Sequence, residues 1–594
     1  GGEGVMKGSG RDRYSIGFSL DYRVKKLQVK NTVSFGHTKS TESPYGSFSD
    51  YIGLQPYESP YDPYDETKLR IKMKYSSKGG STVNNPLYEA TLKNYEWSAY
   101  DEIIDNLSVN WYLTDYLTLK GQFSVTKQYT DTERFYDPLS SKVSVYGTDE
   151  TNLQGDLYTT DGGSLSWNAN AFAYYTRSFG KHNFNFSGGW EAAAYNVDNT
   201  SAHYRGFPSG EFNSLNYAAE VYKKPTRSEN TTRRVSILAT LNYTWNDVYL
   251  ADASVRFDGA NQKWAPFFSG GLGLNIHNYD FLKGNKDVNK LKVRASYGRT
   301  GKVNFPAYAA TTMYEALFDE WYITGYGVTL KALGNKDLSW EKTDKFNVGL
   351  ETQFFDRRLT VDFDYYYEKT IDLINDVTLS NTSGFSTYKN NMGEVENKGV
   401  ELQVRADVYR DRDWTIALWG NMAHNKNRIL KISESQKAYN ERVMEFYREE
   451  LKNQDLYKNA LANAEYAIPI PQYSEGQSLT SIWAVRSLGI DPTTGEELFL
   501  NRDGSITDKW DPAQEVVVGN TEPKLNGSIG LNATYKNWSL FAAFQYEFGG
   551  QEYNQTLVNR VENADIKGGN VDLRVLTDRW QKPGDVAQFK NIAN

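Results

Sequence analysis

The chain has 594 residues, no cysteine, a formal net charge of −8 and a 14% aromatic content made of 44 Tyr, 28 Phe and 14 Trp. Without cysteine, disulfides, thiol catalysis and Cys-ligated zinc are excluded, and the acidic balance argues against a sequence-independent grip on nucleic acid, which needs a basic face. Mean hydropathy is −0.65 and no run approaches the ~20 apolar residues of a spanning helix, a test that a spanning β-strand escapes because it shows lipid only every second residue.

In residues 13–22, Tyr14, Ile16, Phe18, Leu20 and Tyr22 alternate with Arg13, Ser15, Gly17, Ser19 and Asp21. Strict period two over this length fits a tilted strand crossing a bilayer, roughly 9–11 residues, whereas a soluble strand is about half as long. The pattern recurs and predicts strands over 13–22, 27–36, 105–113, 116–125, 165–176, 183–192, 234–245, 248–257, 265–276, 290–298, 343–354, 358–368, 398–409, 414–424, 525–535 and 538–548. Asn31 falls on the apolar side of its strand, and 165–176 is only weakly two-faced. Apart from Lys398 at the very start of its strand, the apolar sides hold no Lys or Arg, each of which would cost about 2–4 kcal/mol at the lipid midplane.

The links alternate in length. Those at Arg23–Lys26, Thr114-Asp115, Asn246-Asp247, Asp356-Arg357, Arg410–Asp413 and Lys536-Asn537 are tight, and those at 37–104, 126–164, 193–233, 299–342, 369–397 and 425–524 are long. Short periplasmic turns and long extracellular loops are the outer-membrane arrangement. Segment 258–264 is short where a long loop is due, and 277–289 is a longer turn. Within the last long loop, Glu434 to Ala467 reads as helix. A soluble sandwich would alternate too, so strand length and the connections decide for an all-β, transmembrane antiparallel barrel of about sixteen strands. The abundant Tyr and Trp suit its membrane boundary; a secreted β-protein that stacks aromatics on sugars, glycan-binding or adhesive, is the soluble alternative.

The run Leu291-Lys292-Val293-Arg294-Ala295-Ser296-Tyr297-Gly298-Arg299-Thr300-Gly301 resembles one barrel strand of the SusC/RagA family of TonB-linked outer-membrane transporters. Leu338-Ser339-Trp340-Glu341, Asn347-Val348-Gly349-Leu350-Glu351, Asp364-Tyr365-Tyr366 and Asn397-Lys398-Gly399-Val400-Glu401 follow in the family's order, as do Gly489–Gly495 and Gly519–Lys524. The resemblance implies a barrel of 22 strands with an N-terminal plug, importing a bulky oligosaccharide or peptide. It implies as partners a SusD-type surface lipoprotein and a TonB-ExbB-ExbD complex acting through the plug. Siderophore or cobalamin receptors of the wider class are the neighbouring reading. No signal, plug or TonB box is recognisable between Gly1 and Asn594, so 1–594 reads as a partial barrel domain lacking the plug and about six strands.

No catalytic constellation appears: His37, His182, His203, His277 and His424 share no ligand spacing, and no HExxH, GxSxG or Walker pattern is present. No cofactor is expected. Asn501-Arg502-Asp503-Gly504 lacks the first and last ligands of a calcium loop and reads as a hairpin turn. Trp321, Tyr322 and Tyr326 in one long loop and Trp483 in another are candidates for contact with substrate or lipoprotein, or are loop packing. Arg294, Glu351, Asp362, Glu401 and Arg405 fall on polar strand faces. They should face the lumen and contact the plug, line the path, or be solvated.

Overall fold

The fold is taken from a computed structural model that describes all residues except 1, 49–53, 55–56, 75–81, 144–150, 261–262, 304–308, 379–386, 392, 433–436, 439, 442–472, 512–513, 565, 567–570 and 592–594. Sixteen long strands carry it: β1 Gly10–Val24, β2 Leu27–Thr41, β3 Tyr95–Tyr112, β4 Leu117–Tyr136, β5 Asp156–Phe179, β6 His182–Arg205, β7 Glu220–Trp245, β8 Tyr249–Ala260, β9 Lys263–Asn275, β10 Val288–Lys302, β11 Glu341–Phe354, β12 Leu359–Ile371, β13 Glu394–Arg410, β14 Trp414–Lys431, β15 Leu525–Tyr535 and β16 Trp538–Phe548. Each pairs antiparallel with the next in one meandering sheet, and among the described residues no ladder joins β16 to β1.

Every strand read from the alternation is present, but several are far longer than the alternation implied. β7 has 26 residues and β5 and β6 have 24 each. The reason lies on the outward face. On β7 that face reads Trp245, Tyr243, Leu241, Ala239, Ile237, Val235 and then Arg233, Thr231, Glu229. Past Val235 both faces are polar, so the ladder continues while the period-two signal vanishes. A similar transition occurs on β10, β11 and β12. Tyr297, Phe346 and Tyr367 form one outward rung, and the next rung is Arg299, Asp344 and Lys369. There the Arg299 guanidinium grips Asp344 at 2.6 Å. This shift from aromatic to ion-paired marks one edge of an apolar band.

The band's other edge is the row of tight turns. Lys25, Gly180, Asn246, Asp247, Asp356, Arg357 and Lys536 all have positive φ, between 49° and 63°, the backbone hand that suits a hairpin turn between right-twisted strands. Across the link expected to be short, 258–264, the strands stay paired up to Ala260 opposite Lys263. The longer turn after β9 begins with a 3₁₀ turn, Ile276–Asn278. The helix expected over Glu434 to Ala467 falls for the most part outside the described residues. The hairpin reading of Asn501–Gly504 holds, with Leu500 opposite Ile506.

The apolar faces do not meet one another. Ile16, Phe18, Leu20, Ile237, Leu272, Ile529 and Phe544 are all more than half exposed. Total accessible surface is 37,630 Å², against about 21,000 Å² for a compact soluble monomer of this mass. The compact cores among the described residues are small and lie at the long-loop rim, for example Phe135 edge-on to Phe207 at 5.2 Å beside Leu157. A sandwich would have buried the strand faces instead.

Ionisable groups interrupt the outward face on β3 and β4. Lys127 stands between Ile103 and Leu165 in the rung of Ile16 and Phe35, and Asp105 lies close by. Asp105 stands on the outward face, in the same row as Leu107, Val109 and Trp111. Asn31, already out of place in the sequence pattern, donates to the Asp105 carboxyl at 2.6 Å. The two misplaced polar groups satisfy each other.

Candidate functional site

The inner face of β10 to β12 carries a dense charge cluster. Lys290, Lys292 and Arg294 alternate with Leu291, Val293 and Ala295 on β10, so all three project to the polar side. Glu351 on β11 receives Lys290 Nζ at 2.6 Å, Lys292 Nζ at 3.1 Å and Arg294 Nε at 3.1 Å. The other Arg294 nitrogens reach Asn347 Oδ1 at 3.0 Å and both Asp364 oxygens at 2.6 and 2.8 Å. Arg294 thus crosses β11 to β12, a span that requires Gly349 beneath it. A Cβ at 349 would lie 2.7 Å from Arg294 Cζ and 2.6 Å from Asp364 Oδ1.

The segments singled out in the sequence meet at this point. Arg294, the Asn347–Glu351 segment and Asp364 are one constellation, and Asp362 pairs directly opposite Glu351. Glu401 stands across from Asp364 on β13. Arg405 is apart from the cluster, towards the tight turns, and its Nη2 pairs with Asp407 at 3.5 Å. Lys290, Lys292, Asn347 and Asp364 escaped the reading of single residues, although the Lys-x-Lys-x-Arg spacing places three cations on one face. The Gly399 position follows the same logic: a Cβ there would meet the Tyr366 hydroxyl at 2.5 Å, and that hydroxyl donates to Asn425 at 3.1 Å.

A second inner-face cluster was missed altogether. Glu191 on β6 receives Asn168 at 3.0 Å, Arg234 at 3.1 Å and Arg256 at 3.5 Å. Arg256 also donates to Asp258 at 2.6 Å and to the buried Ser236 at 2.9 Å. No local motif announces it, because the six residues come from four strands and only the strand register brings them together. Both clusters are stitched across strands and only partly exposed, so they stiffen the wall while keeping it polar.

At the long-loop rim, Trp321 pairs with Tyr326 and Tyr322 with Gly325 in a hairpin of Met313–Tyr322 and Gly325–Ala332. Tyr322 and Tyr326 are exposed, Phe318 lies edge-on to Tyr326 at 5.4 Å, and Lys224 of β7 sits 4.9 Å over Phe318. The Trp321 side chain lies outside the described residues. Trp483 is half-buried in a separate ladder, opposite Val517. No described contact joins the Trp483 ladder to the Met313–Ala332 hairpin.

The loop motifs serve as fasteners. Leu338 is fully buried, and Trp340 packs on Phe267 at 5.5 Å. Asn391 clamps both the amide (2.7 Å) and the carbonyl (2.9 Å) of Ser339, and Glu341 accepts the Ile374 amide at 3.0 Å. In the first long loop the buried Glu89 carboxylate accepts from Asn94, Ser140 and Ser141, at 2.5 to 2.8 Å, tying that loop to the one after β4. Nothing in the sequence distinguished Glu89 from its many acidic neighbours.

A long-stranded meander, apolar outside, charge-lined inside, tight at one rim and looped at the other, defines a β-barrel of the bacterial outer membrane. Residues 30–583 match the family described as TonB dependent receptor-like, beta-barrel, and the chain belongs to that family. It is 26% identical over 628 residues to TonB-dependent receptor P3 of Formosa agariphila, covering 100% of this chain and 61% of the relative. It is 29% identical over 383 residues to TonB-dependent receptor SusC of Bacteroides thetaiotaomicron, covering 61% of this chain and 36% of the relative. A solved structure of the RagAB peptide transporter shares the fold, with TM-score 0.80 at 22% identity over 99% of this chain and 63% of that one. As a member of the TonB-dependent receptor barrel family, similar to SusC in sequence and to the RagAB transporter in fold, the chain sits in the outer membrane of a Gram-negative bacterium. It spans about three-fifths of the length of the curated relative P3 that it matches end to end.

Proposed function

We propose that this chain is the wall of an energised importer for a bulky nutrient, an oligosaccharide or a peptide, and that it performs no bond chemistry. The observation that carries the reading is the charged inner wall at Arg294, Glu351 and Asp364, a polar surface enclosed by an apolar exterior in a member of this receptor family. In this reading the Arg294 cluster, with Glu401 beside it, faces a plug domain contributed from outside residues 1–594. Strands from outside the same range complete the sheet between β16 and β1. TonB-ExbB-ExbD supplies energy through the plug, and a SusD-type lipoprotein covers the long-loop rim, where Tyr322, Tyr326, Trp321 and Trp483 are the contact candidates. Uptake of a panel of labelled oligosaccharides and oligopeptides by cells with and without the full-length gene tests the import. Uptake of at least one class that disappears on deletion of either the gene or TonB supports the proposal. Uptake that never depends on TonB overturns it.

A further inference from the structure

The outward apolar band is dented near its tight-turn edge. On β7 to β10, small and large side chains alternate along one rung, in the order Tyr243, Ala251, Leu272, Ala295. The small ones leave an open groove of about 410 Å³, lined on its rim side by Tyr249, Leu274 and Val293. That volume falls within the range of small-molecule sites, roughly 300–1,000 Å³. Leu272 is 70% exposed beside it.

The rim below the groove is unlike the other tight turns. The segment 276–287 folds back along the outer wall, where the Tyr279 hydroxyl donates to the Tyr249 hydroxyl at 2.9 Å. Tyr249 stacks on Trp245 at 5.1 Å, and Tyr279 on Phe281 at 5.8 Å. Phe281 is 75% exposed. Asn275 and Asn278 pin the segment by donating to the Asp247 carbonyl at 2.8 and 2.7 Å. Lys283 and Lys286 are exposed on the same segment, flanked by the exposed Asp280 and Asp287. An apolar slot thus leads straight to phenolic hydroxyls and a set of charges of both signs. Tyr and Trp favour such a boundary because one end of the ring is apolar and the other wet.

We infer that this groove is a binding site for one glycerophospholipid of the periplasmic leaflet. One acyl chain lies over Ala251 and Ala295, and the phosphate meets the Tyr249 and Tyr279 hydroxyls and Lys283. The occupant is set by position: the groove is continuous with the band already assigned to lipid, and tight turns are periplasmic in such barrels. Paired Lys and Asp residues on the turn favour a headgroup that carries both a phosphate and an ammonium, such as phosphatidylethanolamine.

The test is native mass spectrometry of the full-length protein in detergent, titrated with phosphatidylethanolamine. The wild type should retain one lipid per chain. The groove-filling variant Ala251→Leu/Ala295→Leu should lower that occupancy at least tenfold, whereas Ala533→Leu, on the outward face of β15, should leave it unchanged. Should the double variant fail to fold, judged by loss of heat-modifiable migration, Tyr279→Phe/Lys283→Ala in the turn decides, with a several-fold loss expected. Equal occupancy in the wild type and the variants overturns the assignment. So does a wild-type dimer that the groove-filling variant dissociates, since that would make the occupant a second copy.

Discussion

Arginine placed at Leu241 should destabilise the protein far more than arginine placed one residue away. Leu241 sits on the outward face of β7, between Phe186 and Ala253 on the paired strands. It lies near the middle of the stretch from Trp245 at the tight turn to Arg233, the first charged outward residue. A guanidinium there has no water and no partner, and the expected cost is about 2–4 kcal/mol, or roughly a thirty- to seven-hundred-fold shift in the folding equilibrium. Asn242 faces inward, opposite Asn185 and Asp252, so Asn242→Arg should change stability by less than about 0.5 kcal/mol. Thr231→Arg is outward but beyond the band, and about 0–1 kcal/mol is expected there. Urea titration of the full-length protein folded into lipid vesicles reads all three. Equal costs at 241 and 242, or no fall between 241 and 231, would refute a lipid-facing outer wall.

Arg294→Ala strips Glu351 and Asp364 of three of their hydrogen bonds in a partly exposed setting. It should cost about 1–2 kcal/mol in the same titration, with Arg294→Lys in between because a single ammonium cannot bridge both carboxylates. Gly349→Ala should behave like Arg294→Ala, since the new methyl displaces the guanidinium. Asn31→Leu leaves the outward Asp105 without its donor and should cost about 1–3 kcal/mol. The double variant Asn31→Leu/Asp105→Leu should recover most of that, and failure to recover would mean the pair is not isolated in lipid. In the turn after β13, the Asp411 carboxylate accepts the Tyr409 hydroxyl and the amides of Asp413 and Trp414, and these hydrogen bonds lower its pKa below the usual 3.8. A lowered pKa contributes order that is complete above about pH 4 and is lost as pH falls through the shifted value. Protection of the Trp414 amide from hydrogen exchange should therefore hold from pH 7 to 4, drop below that, and vanish at all pH in Asp411→Ala.

The wall was legible in the sequence because one force writes it: wherever lipid touches a strand, every second residue is apolar, as at Tyr14–Tyr22 and Val235–Trp245. Strand ends were not legible, since above the band the outward face turns polar at Arg233, Arg299 and Asp344 and the ladder alone continues. Of the inner site, Arg294 and Glu351 were legible from their polar strand faces, whereas Lys290 and Lys292 were passed over although they repeat with Arg294 along one strand. The room that Gly349 makes for Arg294 emerges only from the strand register. The inner site was hidden where register does the assembling, as for Glu191, Arg234, Arg256 and Asp258. Glu89 was hidden for a related reason: burial in a loop leaves no periodic trace.

Because the chain has no native cysteine, single cysteines from 231 to 245 can be spin-labelled one at a time in the full-length protein reconstituted in bilayers. The measurement is their collision rate with oxygen, which concentrates in lipid, against a water-soluble nickel complex. Oxygen should dominate at 235, 237, 239, 241, 243 and 245, nickel should dominate at the even positions between them, and the alternation should stop at 233. Uniform nickel access along β7, or oxygen preference that persists through 231, would contradict a wall with lipid on one side and water on the other.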